Sequence, residues 1–267
     1  MFDRASGAAI RLDSELDLGL KGRAAAVTGG SRGIGYAIAQ ALLAEGCAVA
    51  ICGRDQARLD QAARALGSHV FSRPTDVSSP GQTEAFIDAA AAHFGRLDIL
   101  VHNAGGGGGA SLDAPDDDFA RALDINVLAA LRAARAAVPH MRRLGQGRVI
   151  FISSVWGRES GGRPGYNLAK AAEISLSKAL SRELAKDNIL VNSVAPGSIT
   201  FPGGSWARRR EQDPDGIAAF IKSDLPLGRF GTPEEVAAVV TFLASDKASL
   251  VTGASWTVDG GQSRSLI

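Results

Sequence analysis

The sequence predicts an α/β fold, a single domain with one doubly wound parallel sheet of about seven strands flanked by helices. Short apolar runs typical of strands alternate about six times with longer stretches whose apolar residues recur at helical spacing. A glycine-rich turn follows the first apolar run, and no linker-like stretch divides the 267 residues. We assign residues 19–267 to this domain and residues 1–18 to an N-terminal extension.

The composition argues against several classes of function. The chain is 45% hydrophobic but only 6% aromatic, so alanine, valine, leucine and isoleucine must form its core. A net charge of +1 gives no electrostatic basis for binding nucleic acid or an anionic membrane. No run approaches the ~18 consecutive apolar residues of a membrane span, and the first residues lack a secretory signal pattern. Cys47 and Cys52 lack a zinc-type cluster, which predicts a reduced, buried pair in a cytoplasmic protein without a metal site.

The glycine-rich turn joins a strand predicted at 24–28 to a helix predicted at 34–45. Its glycines have the spacing G-x-x-x-G-x-G, and glycine lets the backbone come close to a pyrophosphate. The helix N-terminus adds N–H donors and a positive dipole end. The pattern favours a Rossmann-like dinucleotide site over a P-loop, since no Gly-Lys-Ser/Thr follows, and an ordinary strand-to-helix turn is the alternative. The candidate cofactor contacts here are Gly29, Ser31, Arg32, Gly33, Ile34 and Gly35.

The second strand, predicted at 48–52, ends at residues that bear on the choice of cofactor. In dinucleotide folds an acidic residue at this place binds the ribose hydroxyls, whereas an arginine accommodates a 2′-phosphate. Arg54 together with Arg32 favours NADP(H), with NAD(H) as the alternative. Asp55 is the acidic residue near this place, but it is also a good N-cap for a helix predicted at 56–66.

The middle of the chain continues the alternation. A third strand begins at Val70 and leads to Asp76, and a helix at 80–94 precedes a fourth strand at 97–101. The five consecutive glycines 105–109 predict a flexible loop or a place where the backbone meets a ligand closely. A long helix follows at 116–143. It contains Asn126, and an asparagine in mid-helix normally faces water.

The last third completes the pattern. A fifth strand at 147–152 ends in two serines, and a sixth at 189–194 precedes a Pro-Gly pair. Residues 198–225 change in composition and predict a mobile substrate loop or lid with short helices. A helix at 232–245 starts with capping-box residues, and a final strand lies at 256–258.

Tyr166 and Lys170 lie between the fifth and sixth strands, on a helix predicted to run to about residue 186. Residues four apart share one face of a helix. An ammonium beside a phenol favours the phenolate by Coulomb attraction, so Tyr166 is a candidate general acid or base. A chance pairing on an exposed helix is the alternative, because the pattern alone is short.

Taken jointly, these motifs resemble the short-chain dehydrogenase/reductase family, in its compact form that includes 3-oxoacyl-carrier-protein reductases. The resemblance extends from about Leu18 to Gly261. The matching segments, in the family's order, are Thr28–Gly35, Asp76-Val77, Asn103-Ala-Gly105, Asn126, Ser153-Ser154, Tyr166-x-x-x-Lys170, Pro196-Gly197 and Gly253–Gly261.

The resemblance implies a role for each matched residue. Tyr166 would protonate the carbonyl oxygen, Lys170 would favour its phenolate and bond the nicotinamide ribose, and Asn126 would help to hold a water beside Lys170. Ser154 would polarise the substrate oxygen, with Ser153 as the alternative. The further implied cofactor contacts are Asp76, Val77, Asn103, Ala104, Gly105, Tyr166, Lys170, Pro196, Gly197 and Ile199. A homotetramer with the 116–143 and 165–186 helices at one interface is also implied.

The sequence departs from the family pattern at two positions and in the loop between the serines and Tyr166, which is one residue shorter than a common spacing. His102 stands where the family usually has asparagine, and we interpret it as structural. Phe201 stands where the family often has a threonine that touches the carboxamide. The resulting hypothesis is an NADP(H)-preferring oxidoreductase of a ketone and a secondary alcohol, with a 3-oxoacyl thioester as first substrate. The alternatives are an NAD(H)-dependent dehydrogenase of another small alcohol, sugar or steroid, and a nucleotide-sensing regulator without turnover.

Overall fold

The computed structural model describes residues 17–266, so most of the predicted 1–18 extension lies outside the described residues. One sheet of seven parallel strands has the order β3-β2-β1-β4-β5-β6-β7, which confirms the predicted fold class. The strands are β1 Ala24–Thr28, β2 Ala48–Gly53, β3 Val70–Pro74, β4 Ile99–His102, β5 Gly147–Ile152, β6 Ile189–Pro196 and β7 Ser255–Val258.

Helices cover both faces of this sheet. They are α1 Gly33–Ala44, α2 Gln56–Leu66, α3 Gln82–Phe94, α4 Asp116–Leu123, α5 Ala129–Leu144, α6 Pro164–Leu184, α7 Ser205–Gln212, α8 Pro214–Asp224 and α9 Pro233–Ala244. Two buried apolar clusters result, one with α1, α2 and α9 against the sheet and one with α3 and α5 on the other face. The winding reverses between β1 and β4, and ligands of such sheets bind beyond the carboxyl ends of the strands at this point.

Local capping explains where several helices begin. The Asp55 carboxylate accepts the backbone N–H of Arg58 at 3.0 Å, so Asp55 is the N-cap of α2. Thr232 and Glu235 form the predicted capping box of α9. Both contacts satisfy N–H groups that a helix N-terminus leaves without an internal partner.

The helix predicted at 116–143 is not a continuous α-helix. A π-helical segment, Asp124–Leu128, separates α4 from α5 and contains Asn126. Asn126 is fully buried, so the expectation that it faces water is wrong. Its Nδ2 donates to the carbonyl of Ala122 at 2.7 Å, inside its own helix, and to the carbonyl of Gly106 at 2.9 Å. Such π segments occur often at functional sites.

The predicted lid contains two regular helices, α7 and α8, which have a small apolar cluster of their own. Trp206 of α7 stacks on Phe220 of α8 with ring centroids 4.7 Å apart, and Phe230 packs beside both. This cluster gives the segment local order separate from the main core.

Cys47 and Cys52 are free thiols in buried positions, as predicted. Burial raises the pKa of both thiols to about 12, so neither is a reactive thiolate near neutral pH. Between residues 17 and 266, no helix has both the length and the apolar character needed to cross a bilayer. In the same part of the chain, no three His, Cys, Asp or Glu side chains cluster as metal ligands would.

Candidate active site

A cavity of about 340 Å³ lies at the carboxyl ends of β1, β2, β3 and β4. Ten of the predicted cofactor residues line it: Gly29, Ser31, Arg32, Ile34, Arg54, Asp76, Val77, Asn103, Ala104 and Gly105. Seven further residues also line it: Cys52, Gly53, Asp55, Arg58, Thr75, Ile125 and Phe201. The other predicted cofactor residues, which do not line this cavity, are Gly33, Gly35, Tyr166, Lys170, Pro196, Gly197 and Ile199.

The glycine turn at the cavity wall is packed too tightly for side chains. A Cβ on Gly35 would lie 2.3 Å from the Gly29 carbonyl oxygen and 2.5 Å from Asn103 Nδ2. Asn103 Nδ2 also donates to the carbonyls of Thr28 and Gly29, both at 3.1 Å, and so braces the turn. No side chain caps the N-terminus of α1, which leaves its first N–H groups available to an anion. These features fit the pyrophosphate of a dinucleotide.

The outer end of the cavity is rich in charge. Arg32, Arg54 and Arg58 line it together with Asp55 and Asp76. Hydrogen bonding from the Ser78 hydroxyl, opposed in part by burial and assisted by the charge of Arg54, lowers the pKa of Asp76. Arg58 was not among the predicted cofactor residues, and its spacing from Arg54 does not identify it, because Arg54 precedes the N-cap of α2.

His102 lies beneath the cavity and is fully buried. The Thr28 hydroxyl oxygen accepts the backbone N–H groups of Asn103 and Ala104, both at 3.0 Å. The hydroxyl hydrogen is therefore free to donate to His102 Nδ1, which lies 3.2 Å away. Burial, reinforced by the charge of Lys170, lowers the pKa of His102 to about 3. The ring is neutral at working pH and ties the ends of β1 and β4 together, which agrees with a structural role.

Helix α6 carries Tyr166 and Lys170 to the carboxyl end of β5. Lys170 Nζ donates to the carbonyl of Ile152 and to Glu173 Oε2, both at 2.8 Å, and lies 5.9 Å from the Tyr166 ring centroid. Burial by itself would lower the pKa of Lys170. The Glu173 carboxylate and then the Tyr166 phenol outweigh burial, so the pKa of Lys170 is raised. A charged lysine is thus held on the face of α6 that also carries the tyrosine.

The two serines after β5 have different partners. The Ser153 hydroxyl donates to the backbone carbonyl of Lys170 at 2.9 Å. The Ser154 hydroxyl oxygen accepts the backbone N–H of Trp156 at 3.2 Å. Within residues 17–266, Ser154 therefore keeps a hydroxyl hydrogen that is not committed to a protein acceptor, whereas Ser153 does not.

Asn126 anchors the five-glycine segment beside Lys170. Its Oδ1 accepts the N–H of Gly106 at 3.3 Å while its Nδ2 donates to the Gly106 carbonyl. A Cβ on Gly105 would lie 2.6 Å from Asn126 Oδ1 and 3.3 Å from Lys170 Nζ. The cavity wall at Gly105 and the Lys170 ammonium are therefore neighbours, and this joins the cofactor cavity to the Tyr166–Lys170 pair.

The same segment packs on the start of α6. The Gly165 N–H donates to the Gly109 carbonyl at 3.1 Å, and a Cβ on Gly165 would lie 2.5 Å from the Gly108 oxygen. Glycine at 108 serves close packing as well, because a Cβ there would lie 2.4 Å from the Asp118 carbonyl oxygen. These close contacts are with other parts of the chain, so the predicted close approach of a ligand to this segment stays a prediction.

The predicted contacts Pro196, Gly197 and Ile199 do not line the cavity, and the first two lie against the C-terminal segment. The backbone N–H of Ser198 donates to Gln262 Oε1 at 2.7 Å, and Ile199 is buried. Phe201, in contrast, reaches the glycine turn: a Cβ on Gly33 would lie 2.6 Å from its ring. The base of the lid thus touches the cofactor cavity through an aromatic ring.

The nucleotide-type cavity and the adjoining tyrosine–lysine pair define the class of the protein as an NAD(P)-dependent oxidoreductase. The chain belongs to the short-chain dehydrogenase/reductase family. A family model described as enoyl-(acyl carrier protein) reductase matches residues 29–263.

Similar proteins cover nearly the whole chain. A 3alpha-hydroxysteroid dehydrogenase of Mediterraneibacter gnavus is 37% identical over 250 residues, 90% of this chain and 97% of that protein. A 3-oxoacyl-acyl-carrier-protein reductase of Salmonella typhimurium is 36% identical over 246 residues, 91% of this chain and 98% of that protein. The crystal structure of L-sorbose reductase from Gluconobacter frateurii, complexed with NADPH and L-sorbose, is similar with a TM-score of 0.89. It is 36% identical and covers 94% of this chain and 100% of that one.

Proposed function

We propose that the protein interconverts a ketone and a secondary alcohol with NADP(H), and that its preferred substrate is a 3-oxoacyl thioester. The observation that carries the proposal is the Tyr166–Lys170 pair, whose ammonium adjoins the cofactor cavity at Gly105. Besides a cofactor, carbonyl reduction needs a proton donor and a group that polarises the carbonyl oxygen. The charge on Lys170 favours proton release by Tyr166, and the free hydroxyl hydrogen of Ser154 can donate to the oxygen.

Each residue has one task in the proposed reaction. NADP(H), when bound, would supply or accept the hydride at the carbonyl carbon. Ser154 donates a hydrogen bond to the carbonyl oxygen and orients it, while Tyr166 gives that oxygen its proton and becomes a phenolate. Lys170 stabilises the phenolate by its charge. In alcohol oxidation the same phenolate takes the hydroxyl proton. General acid–base catalysis of this kind contributes about 10²–10⁴-fold to the rate.

The preference for NADP(H) is supported by the arginines at the outer end of the cavity. Arg32 and Arg54 have no carboxylate within 4 Å among residues 17–266, whereas Arg58 pairs with Asp55 at 3.5 Å. A charge-assisted hydrogen bond is worth about 1.5–3 kcal/mol, or roughly 10- to 150-fold in affinity. We expect Arg54→Ala to raise the KM for NADPH within that range and to leave the KM for NADH nearly unchanged. Parallel initial rates with the two cofactors measure this, and a wild-type preference for NADH would contradict it.

The thioester substrate is supported by similarity to 3-oxoacyl reductases and by the exposed arginines on α7, which suit an acidic carrier. A sugar ketone is the second candidate, because the L-sorbose reductase structure is similar over 94% of the chain. A panel of acetoacetyl thioester, L-sorbose and a 3-ketosteroid, each with NADPH and NADH, decides between them. The highest kcat/KM should fall on the thioester with NADPH. Turnover of none of the three while NADPH binds tightly would favour the nucleotide-sensing regulator.

We also propose a homotetramer in the cytoplasm, with the helical stretches 116–143 and 165–186 at one interface. Leu128 and Leu168 support the interface, since their side chains are 44% and 49% exposed in the single chain. Burial of such leucines is a usual driving force for association. Sedimentation analysis should give four chains per particle, and replacing Leu168 by glutamate should lower that number. The two buried, free thiols are in keeping with a reducing compartment.

A further inference from the structure

A carboxylate lies buried behind the proposed catalytic pair. Glu173 is fully inaccessible to solvent and follows Lys170 by three residues on α6, so the two side chains share a face. Glu173 Oε2 accepts from Lys170 Nζ at 2.8 Å, while the buried Oε1 has no hydrogen-bond partner in the described structure. Burying a charged group is costly unless it is paired. A glutamate at this depth therefore calls for an explanation, since an apolar side chain of similar size would fill the space without that cost.

The inward face of α6 carries four polar side chains between its apolar ends, Ala169 and Leu184. Its buried residues include Lys170, Glu173, Ser177 and Ser181. An ordinary core-facing helix carries apolar residues at these positions. Lys170 and Glu173 therefore form a buried ion pair on the face of α6 that packs against the sheet.

We infer that Glu173 is a positioning residue for the proposed reaction: its carboxylate keeps Lys170 charged and holds the ammonium between the Ile152 carbonyl and the Tyr166 ring. The inference rests on the proposed function of the Tyr166–Lys170 pair and extends it by one residue. Burial of Lys170 opposes its charge, and Glu173 is the strongest group that counteracts burial. Without that carboxylate, the buried lysine loses its proton more easily.

Other charged groups around α6 do not replace Glu173. The elements packed against α6 carry acidic residues 116–118, Arg121, Asp124, Arg148, Lys186 and Asp187. Within residues 17–266, none of them lies within 4 Å of an oppositely charged group of the Lys170–Glu173 pair. His102 on β4 faces Lys170 but is neutral, because its pKa lies at about 3.

Replacing Glu173 by glutamine removes the charge and keeps both the size and an acceptor for Lys170. Loss of one negative charge makes every neighbouring group give up its proton more readily. The basic limb of the kcat/KM profile for ketone reduction should therefore move to lower pH, by about 1–3 units. Burial raises the pKa of Glu173 to about 7, although Lys170 opposes this, so well below pH 7 the wild-type carboxyl is itself neutral. There the two rate profiles should converge.

A readout that needs no turnover is available, because the chain has only two tyrosines. In a Tyr36→Phe background, the ultraviolet absorbance of the phenolate reports Tyr166 alone. Adding Glu173→Gln should move phenolate formation to lower pH. Glu183→Gln, an exposed position on the same helix, is the matched control and should leave both the rate profile and the absorbance titration unchanged.

The outcomes separate the two proposals. A wild-type protein that reduces no ketone defeats the proposed function, while the absorbance titration still decides the role of Glu173. Equal losses of rate at every pH, with no movement of the titration, would show that Glu173 is only structural. If Glu173→Gln does not fold, Glu173→Asp is tested instead, because it keeps the negative charge on a shorter side chain. The aspartate variant should lose rate but keep the wild-type basic limb, and a shifted limb would overturn the inference.

Discussion

Replacing His102 by asparagine should change how the free energy of unfolding depends on pH. The folded protein holds this ring neutral, with its pKa lowered from 6.5 to about 3. Below pH 6.5, His102 binds a proton in the unfolded chain but not in the folded chain. The stability due to the neutral ring is therefore fully present above pH 6.5 and is lost as the pH falls through 6.5 toward 3.

The magnitude follows from the size of the shift. Each pH unit below the unfolded pKa removes about 1.4 kcal/mol from the free energy of unfolding. Between pH 7 and pH 5, His102 should thus account for a loss of about 2 kcal/mol that the asparagine variant does not show. Asparagine can still accept from the Thr28 hydroxyl, so other effects of the substitution add an offset that does not vary with pH.

Urea unfolding of wild type and His102→Asn at pH 5, 6 and 7 measures this difference. The free energy of unfolding of the variant should rise steadily relative to that of the wild type as the pH falls. His69→Asn is the matched control for the same substitution at an exposed histidine. Parallel curves for His102→Asn would refute the argument, because they would mean that the folded and unfolded chains protonate residue 102 alike.

Two paired substitutions test the geometry around Lys170. Ser154→Ala should lower kcat about 10²-fold or more, because the carbonyl oxygen loses a preorganised donor. Ser153→Ala should mainly cost about 1 kcal/mol of stability through the lost bond to the Lys170 carbonyl, and steady-state kinetics with urea unfolding separates the two effects. Gly105→Ala should impair NADPH binding and turnover, since its Cβ would lie 2.6 Å from Asn126 Oδ1 and 3.3 Å from Lys170 Nζ, whereas Gly107→Ala has open space and should be tolerated. Comparable turnover of the two serine variants, or equal NADPH affinity of the two glycine variants, would contradict these assignments.

The fold was predictable because its signals are local and repeated. Alternation of apolar runs with helical spacing specifies parallel βαβ units, and the residues at strand ends then meet at one edge of the sheet. Gly29 and Asn103 are distant in sequence yet lie together, since β1 and β4 are neighbours. The neighbouring positions of β1 and β4 in the parallel sheet bring these motifs to one cavity.

Other features depend on tertiary contacts that no local pattern records. Asn126 is buried because its amide binds the Gly106 backbone, and the π segment that aims it there has no distinctive residue spacing. Ser153 and Ser154 have different hydrogen-bond partners because neighbouring residues leave a strand end in different directions. Glu173 could have been noticed as a charge three residues after Lys170, but its complete burial required the packing of α6 on the sheet.

The most direct test of the account is the rate of NADPH oxidation by wild type and Tyr166→Phe with the best ketone of the panel, together with the Kd for NADPH of each protein. The phenylalanine variant keeps the ring and loses only the hydroxyl. We expect kcat/KM to fall about 10²–10⁴-fold while the Kd for NADPH changes little. A variant that turns over at the wild-type rate, or a wild type that binds NADPH tightly and reduces nothing, would contradict the central claim that Tyr166 is the proton donor.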